Sequence, residues 1–271
     1  MKILKVFPRR TAATPDDELT YIGDPLLLFP PEADKIHISV TFEWDLKEAE
    51  RLEKEWKVIA PVEIGGPATD MAGGDFIPGQ YLKEGYVITS RGCRNRCWFC
   101  SVWKREGDIR ELPITEGCNI LDDNLLACSD EHIKSVFEML KNQKQGQPSF
   151  TGGLEATILK EWHVKELQII NPDQMFFAYD TSDDYEPLLE AGKLLKKYNF
   201  GYRKLRAYVL IGYPKDNFND AERRLINTYH AGFMPMAMLY RDKTGFKDPM
   251  WMKFQREWVR PAIIKAKLKG E

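Results

Sequence analysis

Three cysteines lie close together in the segment SRGCRNRCWFCSV, at Cys93, Cys97 and Cys100, with the spacing C-x3-C-x2-C. The other two cysteines of the chain, Cys118 and Cys128, stand apart from this group. A disulfide would use two of the three clustered thiols and leave one unpaired. In a reducing compartment, closely spaced cysteines are instead typical of a metal centre or a catalytic site.

Two kinds of metal centre agree with three thiols. A structural zinc site takes four ligands, usually as two close pairs of cysteines or histidines. Cys118 and Cys128 do not form such a pair, and the histidines are scattered along the chain, so zinc would need an unusual fourth ligand. Three thiolates also suit a cubane 4Fe-4S cluster that keeps one iron free of protein ligands, although four cysteines are usual. The spacing alone leaves both centres open.

The sequence around the cysteines alternates short apolar runs with amphipathic helical patterns. We predict six strands, within residues 86–90, 119–126, 149–153, 175–180, 207–213 and 235–240. Each is followed by a helix or a helix-like connection, and Ser129 is a good N-cap for one of these helices. This alternation predicts a parallel sheet covered by helices, with ligands at the carboxyl ends of the strands. Six units leave a doubly wound sheet and a partial barrel open.

The ends of the chain differ from this alternating region. The runs KIHISVTF (35–42) and DLKEAERLEKEWK (45–57), with the following VIAPVEIGGP, predict a small β-α-β unit. A segment rich in Gly and Pro (65–80) resembles a linker. We therefore predict a small α/β domain over 1–80, the main domain over 81–245 and a C-terminal helix packed on it within 246–271.

Charge and hydropathy narrow the functional class. The 39 basic and 41 acidic side chains give a net charge of -2, which does not require a polyanionic partner. The apolar stretch at the start of the chain, MKILKVFPRR, is too short for the apolar core of a secretion signal. No apolar run in the sequence is long enough to span a membrane. We expect a cytoplasmic protein with no membrane partner.

The spacing of the cysteines, with the aromatic Phe99 directly before the last one, resembles the CxxxCx(aromatic)C signature of the radical S-adenosylmethionine superfamily. The resemblance implies a partial (β/α)6 TIM-like barrel, of the α/β class, beside the small N-terminal α/β domain. It also implies a 4Fe-4S cluster on Cys93, Cys97 and Cys100. In this family the free iron binds S-adenosylmethionine, and one electron cleaves it to a 5'-deoxyadenosyl radical that abstracts hydrogen from a substrate.

Further motifs carry the resemblance beyond the cysteines. The segment TGGLE follows the third strand, where the family has a Gly-Gly-Glu segment for the methionine amino group, although Leu154 separates the glycines from the glutamate. Asp180 ends the fourth strand, where the family binds ribose. The segment YVLIGYP matches part of the fifth-strand motif that lies near adenine in the family. The resemblance implies contacts with S-adenosylmethionine by Phe99, Gly152, Gly153, Glu155, Asp180, Ile211 and Gly212. A plain turn at the glycines, a helix cap at Asp180 and a core position for Ile211 are the structural alternatives.

Cys128 follows the second predicted strand. Some members of the family use a further cysteine to capture or quench a substrate radical, which implies a catalytic role for Cys128. A buried free cysteine that behaves as a small hydrophobic residue is the alternative.

The N-terminal domain resembles the later half of the cobalamin-binding domain that precedes the cysteines in one branch of the family. The D-x-H-x-x-G motif is absent and about 80 residues are few for such a domain, so we predict no bound cobalamin. The expected partners are an electron donor of the flavodoxin or ferredoxin type and a substrate that is a nucleotide or RNA base, a peptide or a metabolite. The alternatives are a non-catalytic iron-sulfur or zinc protein and a cobalamin-dependent radical methyltransferase.

Overall fold

Two parallel sheets with separate buried cores organise the chain. The computed structural model describes residues 1–26, 28–144 and 146–268. The N-terminal sheet contains β1 (Ile3–Phe7), β2 (Thr20–Ile22), β3 (Lys35–Ser39) and β4 (Val62–Gly65), in the order β2-β1-β3-β4. Helix α1 (Leu46–Trp56) connects β3 to β4. The predicted β-α-β unit is present, and β2 is an additional strand of three residues, too short to show a periodic pattern.

The packing of this domain follows from simple periodicities. In β3 the buried side chains of Ile36 and Ile38 alternate with partly exposed neighbours, whereas in β1 the neighbours of the fully buried Leu4 and Val6 on the C-terminal side are buried as well. Helix α1 buries Ala49, Leu52 and Trp56, whose spacing puts them on one face. These residues form one hydrophobic cluster, distinct from the cluster of the larger sheet.

The larger sheet and its helices follow the linker. Their order is β5 (Tyr86–Val87), β6 (Ser90–Arg91), α2 (Val102–Arg105), β7 (Arg110–Glu111), β8 (Asn119–Ile120), α3 (Asp130–Lys141), β9 (Ser149–Phe150), α4 (Glu161–Ile170), β10 (Gln174–Ala178), α5 (Tyr185–Lys197), β11 (Leu205–Ile211), α6 (Phe218–His230) and β12 (Met234–Leu239).

Six of these strands form one parallel sheet in chain order, β5-β8-β9-β10-β11-β12. All six predicted strands are present, and the first three are only two residues long. Among the described residues β5 and β12 do not pair with each other, so the sheet is open. The predicted fold class, a partial (β/α)6 TIM-like barrel with a small N-terminal α/β domain, is confirmed.

Helix α3 shows how local sequence places these helices. The Ser129 side chain accepts a hydrogen bond from the His132 N–H at 3.2 Å, which caps the helix as predicted. Ile133, Val136 and Phe137, together with Leu140, are buried against the sheet. The helix therefore begins where its N-cap residue stands and faces the sheet with its apolar stripe.

The C-terminal segment covers the open edge at β12. It forms two helices, α7 (Pro249–Glu257) and α8 (Pro261–Leu268), so the prediction of a single helix is wrong. Pro261 has no N–H to continue α7, which explains the break. Ala237 in β12 donates its N–H to the Trp258 carbonyl at 3.3 Å and accepts from the Gln255 side chain at 2.9 Å. These bonds satisfy an edge strand that has no further strand beside it. Residues 269–271 of the predicted helical segment lie outside the described residues.

Within the described residues, no helix has both the length and the apolar character that a membrane span requires.

Candidate active site at the mouth of the half barrel

The three cysteines lie on one loop at the carboxyl end of β5. Strands β6 and β7 form an antiparallel hairpin, and the loop between them carries Cys93, Cys97 and Cys100. The loop is closed at its base, because the Cys93 N–H donates to the Gly107 carbonyl at 3.1 Å. Gly92 has φ +88°, and a Cβ there would lie 2.2 Å from the Asp108 carbonyl oxygen. Only glycine fits at this crossing of the two hairpin strands.

The three thiols lie close enough to affect one another. Burial, followed by the charges of Cys100 and Cys93, raises the pKa of Cys97 to about 11. Burial also raises the pKa of Cys100, and the charge of Cys93 adds to the effect. Such thiols hold their protons at neutral pH, so a metal centre that binds them must release those protons.

The Cys93 thiol has hydrogen-bond donors beside it. Among the residues that the structure describes, no three His, Cys, Asp or Glu side chains are arranged to hold one metal ion. Cys93 Sγ accepts from the Asn95 N–H at 3.4 Å and the Asn124 amide at 3.6 Å. Such donors stabilise an anionic thiolate.

The remaining cysteines are not placed to be a fourth ligand. Cys118 precedes β8, at the amino end of the strand, where a Cβ on Gly85 would lie 3.5 Å from its sulfur. Cys128 is buried, with 8% of its surface exposed. Burial raises the pKa of Cys128 to about 11, although a hydrogen bond with Ser90 opposes this. Cys128 thus lies behind the start of the cysteine hairpin, and its catalytic role stays a prediction.

Two aspartates after β8 hold the chain that leads into the cysteine loop. Asp122 accepts hydrogen bonds from the Thr89 N–H at 2.6 Å, the Thr89 hydroxyl at 2.6 Å and the Ser90 hydroxyl at 2.7 Å. Asp123 accepts from the Gly92 N–H at 2.9 Å. Burial raises the pKa of both carboxyl groups. These side chains support the loop from below instead of lining its surface.

The TGGLE segment lies beside this loop. A Cβ on Gly152 would lie 2.3 Å from the Asp122 carbonyl oxygen, so the glycine permits close contact between the ends of β8 and β9. Gly153 has φ +119° with open space around its Cβ position. Glu155 then reaches back, and its carboxylate accepts from the Asn124 amide at 2.5 Å and lies 3.7 Å from Arg94.

Asp180 lies just after β10, among the carboxyl ends of the strands that form the mouth of the half barrel. Its carboxylate accepts from the Leu210 N–H of the neighbouring strand at 3.1 Å. Burial and the charge of Asp184 raise the pKa of Asp180 to about 7. The Asp184 side chain, not that of Asp180, accepts the backbone N–H groups of residues 180 and 181 at 2.9 and 2.7 Å. Since Asp184 fills the capping position, Asp180 is left to face the mouth, where its charge acts on Cys97.

The predicted adenine region is more crowded. Ile211 is fully buried in the barrel core. Gly212 has φ +70°, and a Cβ there would lie 2.7 Å from Leu239 and 3.0 Å from Trp251. The glycine thus admits the side chains of β12 and α7, and ligand contact at both positions is left to backbone atoms.

Aromatic side chains that the motif comparison did not identify close the other side of the loop. Phe99 packs edge-on against Trp98, with ring centroids 5.4 Å apart. Trp98 also contacts Tyr213 after β11 and Tyr240 after β12, at 5.7 and 5.6 Å. The cysteine loop thereby contacts the far side of the half barrel. The sequence signal was present, since Tyr213 and Tyr240 are the last residues of predicted strands.

The carboxyl ends of the two sheets face each other. Beyond β3, Trp44 stacks on Phe42 with centroids 4.7 Å apart, and the guanidinium of Arg241 lies 4.8 Å over the Trp44 ring. Beyond β4, the Pro67 carbonyl accepts from Arg105 of the cysteine hairpin at 2.7 Å. The indole nitrogen of Trp44 is buried and has no hydrogen-bond partner among the described residues. These contacts thus bring together the carboxyl-end edges of two parallel sheets, where ligands of such sheets usually bind.

The fold is similar to that of solved radical S-adenosylmethionine enzymes. No family model and no curated protein matches the chain. The structure of the radical S-adenosylmethionine methyltransferase TsrM from Kitasatospora setae, with cobalamin and a 4Fe-4S cluster bound, matches 88% of this chain and 74% of its own, with TM-score 0.62 and 10% identity. The structure of the same enzyme with tryptophan substrate and the analogue aza-SAM bound matches 88% of this chain and 72% of its own, with TM-score 0.60 and 10% identity.

A third solved structure covers nearly the whole chain. The cobalamin-dependent S-adenosylmethionine radical enzyme OxsB, with aqua-cobalamin and S-adenosylmethionine bound, matches 98% of this chain and 56% of its own, with TM-score 0.50 and 12% identity. These similarities confirm the resemblance to the radical S-adenosylmethionine superfamily at the level of the fold.

The prediction of no bound cobalamin is wrong. It depended on the missing D-x-H-x-x-G motif and on the small size of the N-terminal domain. The TsrM and OxsB structures, to which this fold is similar over both sheets, contain cobalamin. The motif would supply only an axial ligand, so its absence does not by itself exclude cobalamin.

Proposed function

We propose that this protein is a radical S-adenosylmethionine enzyme whose 4Fe-4S cluster is held by Cys93, Cys97 and Cys100. The observation that carries the proposal is the position of exactly these thiols on one loop at the carboxyl mouth of a parallel half barrel, with Cys118 and Cys128 elsewhere. When bound, the cluster and S-adenosylmethionine would supply an electron and a 5'-deoxyadenosyl radical that abstracts hydrogen from the substrate.

The residues of the mouth have distinct roles in this proposal. Glu155 accepts from the ammonium group of the methionine moiety, since its carboxylate lies next to the cysteine loop and is only partly paired with Arg94. Gly152 and Gly153 bring the backbone of this segment close to the same moiety. Asp180 accepts from ribose hydroxyls, because a carboxylate on the mouth has free acceptor sites beyond its bond to the Leu210 N–H.

The protein also shields the reaction from water. Trp98, Tyr213 and Tyr240 form an aromatic wall on one side of the cysteine loop, and Phe99 packs behind it. Ile211 and Gly212 contribute backbone atoms on the adenine side. A dry site keeps a carbon radical from unwanted reactions. A small electron-transfer protein of the flavodoxin or ferredoxin type would reduce the cluster.

Anaerobic reconstitution tests this proposal. We expect about four irons and four sulfides per chain, as for a 4Fe-4S cluster, and release of 5'-deoxyadenosine from S-adenosylmethionine after reduction with dithionite. Cys97→Ala should lose both, and Cys118→Ala, whose sulfur lies at the other end of the barrel, should keep both. Stoichiometric zinc without cleavage would refute the proposal and favour a zinc protein. A stable cluster without cleavage would favour an electron-transfer protein.

A cobalamin-dependent methyltransferase is the second candidate. The observation that favours it is the stacked pair of Phe42 and Trp44 at the facing sheet edges, with a buried indole N–H that has no hydrogen-bond partner in the part of the chain that the structure describes. Flat apolar rings and a buried donor suit a large ring that carries amide groups. Trp44, Phe42 and Arg241 would then hold cobalamin, and a bound cobalamin would supply the methyl group. Incubation with hydroxocobalamin, followed by gel filtration and absorbance, tests retention, which Trp44→Ala should weaken.

A further inference from the structure

Asn124 joins two parts of the proposed site that belong to different strands. Its side-chain nitrogen lies 3.6 Å from Cys93 Sγ and 2.5 Å from the Glu155 carboxylate. Each partner is 31 residues away in the sequence, one before and one after Asn124. An amide nitrogen carries two N–H donors, so a single side chain can serve both acceptors.

The local structure gives Asn124 no other role. It is the residue before the 3-10 turn Leu125–Ala127, a position where an asparagine side chain commonly caps the turn, yet it makes no side-chain capping bond. Only 3% of its surface is exposed, and its side-chain carbonyl oxygen is buried without a hydrogen-bond partner in the described structure. A buried unpaired acceptor destabilises the fold. An apolar residue would be better for stability, so the donors explain the asparagine.

We propose that Asn124 is a positioning residue that sets the reduction potential of the cluster and holds Glu155 ready for S-adenosylmethionine. This inference depends on the proposed function. Hydrogen bonds to a cluster thiolate stabilise the reduced, more negative form and therefore raise the reduction potential. The same amide fixes the Glu155 carboxylate at the cysteine loop, so the ligand meets an acceptor that is already oriented.

Two variants separate these effects. Asn124→Asp has the same shape but replaces both donors with acceptors and adds a negative charge beside Cys93 and Glu155. Asn124→Ser removes both bonds without adding charge. Asn119→Asp is the matched control, because it adds the same charge to the same segment but at β8, where Asn119 pairs with Thr151.

The measurements are the midpoint potential of the reconstituted cluster, from the electron paramagnetic resonance signal, and the affinity for S-adenosylmethionine, from calorimetry. We expect Asn124→Ser to make reduction at least tenfold less favourable, about 59 mV more negative for one electron. Asn124→Asp should shift the potential further in the same direction. Both variants should bind S-adenosylmethionine at least tenfold more weakly, and Asn119→Asp should match the wild type in both measurements.

The outcomes are distinct. Wild-type protein that assembles no 4Fe-4S cluster contradicts the proposed function itself. A wild-type cluster with unchanged potential and unchanged affinity in both Asn124 variants overturns the inference and leaves the proposed function intact. Variants that melt like the wild type without iron, assemble the cluster and show both shifts support the inference, because a purely structural role would lower the melting temperature instead.

Discussion

The carboxylate of Glu106 connects the cysteine hairpin to the linker. Removing its charge should lower the stability of the fold and make the linker easier to cleave. Only 1% of the side chain is exposed, and it lies 3.0 Å from Arg105, 3.6 Å from Arg110 and 3.8 Å from Arg91. It also accepts the Gly73 N–H of the linker at 3.1 and 3.2 Å. One buried anion thus balances three cations and holds the chain between the two sheets.

Glu106→Gln keeps the shape of the side chain and removes its charge. Breaking a buried ion pair on one side costs about 3–5 kcal/mol. Arg105 is only 8% exposed, but Arg110 is 43% exposed and can be solvated, and glutamine still accepts from Gly73, so we take the lower end. About 3 kcal/mol corresponds to a melting temperature roughly 6–12 °C lower in a chain of this size.

Thermal unfolding of the cluster-free protein, followed by circular dichroism, measures this effect. Limited proteolysis should also cut faster within residues 70–80, because the Gly73 anchor is weakened. Glu138→Gln is the control, since Glu138 is 63% exposed in its pair with Lys141 and should cost less than about 0.5 kcal/mol. Equal melting temperatures for the two variants, or unchanged proteolysis of the linker in Glu106→Gln, would refute the interpretation of Glu106 as an anchor.

Three further perturbations follow from the geometry of the mouth. The pKa of Asp180 is raised to about 7 in the folded protein, so the unfolded chain loses this proton at lower pH than the folded one. The free energy of unfolding should therefore fall as the pH rises from about 4 to 7, and Asp180→Asn should remove this fall. Melting temperatures that depend on pH in the same way in both proteins would contradict this prediction. Gly152→Ala puts a Cβ 2.3 Å from a backbone oxygen and should lower the free energy of unfolding, measured with denaturant, by at least about 1–3 kcal/mol. Gly201→Ala, where the Cβ would meet open space, should leave this free energy nearly unchanged. Equal losses for the two variants would contradict the close packing at Gly152. Cys128→Ala should leave cluster assembly and 5'-deoxyadenosine release unchanged, and loss of product formation alone would establish the predicted catalytic role, while full activity would exclude it.

The strands and helices around the site could be predicted because their signals are local. The apolar runs gave all six strands of the barrel, and Ser129 with its following apolar stripe gave α3. The hairpin of β6 and β7 could not be predicted, since its strands, Ser90–Arg91 and Arg110–Glu111, are polar and form no apolar run. Pro261 was a local signal for a helix break, and the prediction of a single C-terminal helix did not use it.

The roles of individual side chains depended on contacts that no local pattern shows. At Gly212, for example, a Cβ would meet Leu239 and Trp251 from later elements, and its contact with S-adenosylmethionine stays a prediction. Cobalamin was excluded on a missing motif and a small domain, although the way in which the two sheet edges face each other depends on domain placement. Such features join residues far apart in the chain and are set by the order of the strands.

The sequence by itself determined the three thiols, their spacing and the alternation of strands and helices, because each is written in consecutive residues. The tertiary structure decided what surrounds those thiols. Parallel pairing in chain order puts the carboxyl ends of β5, β8 and β9 side by side, and only this register brings Asn124 between Cys93 and Glu155. A hydrogen bond depends on distances of a few ångström, and the fold alone sets such distances between residues 31 positions apart.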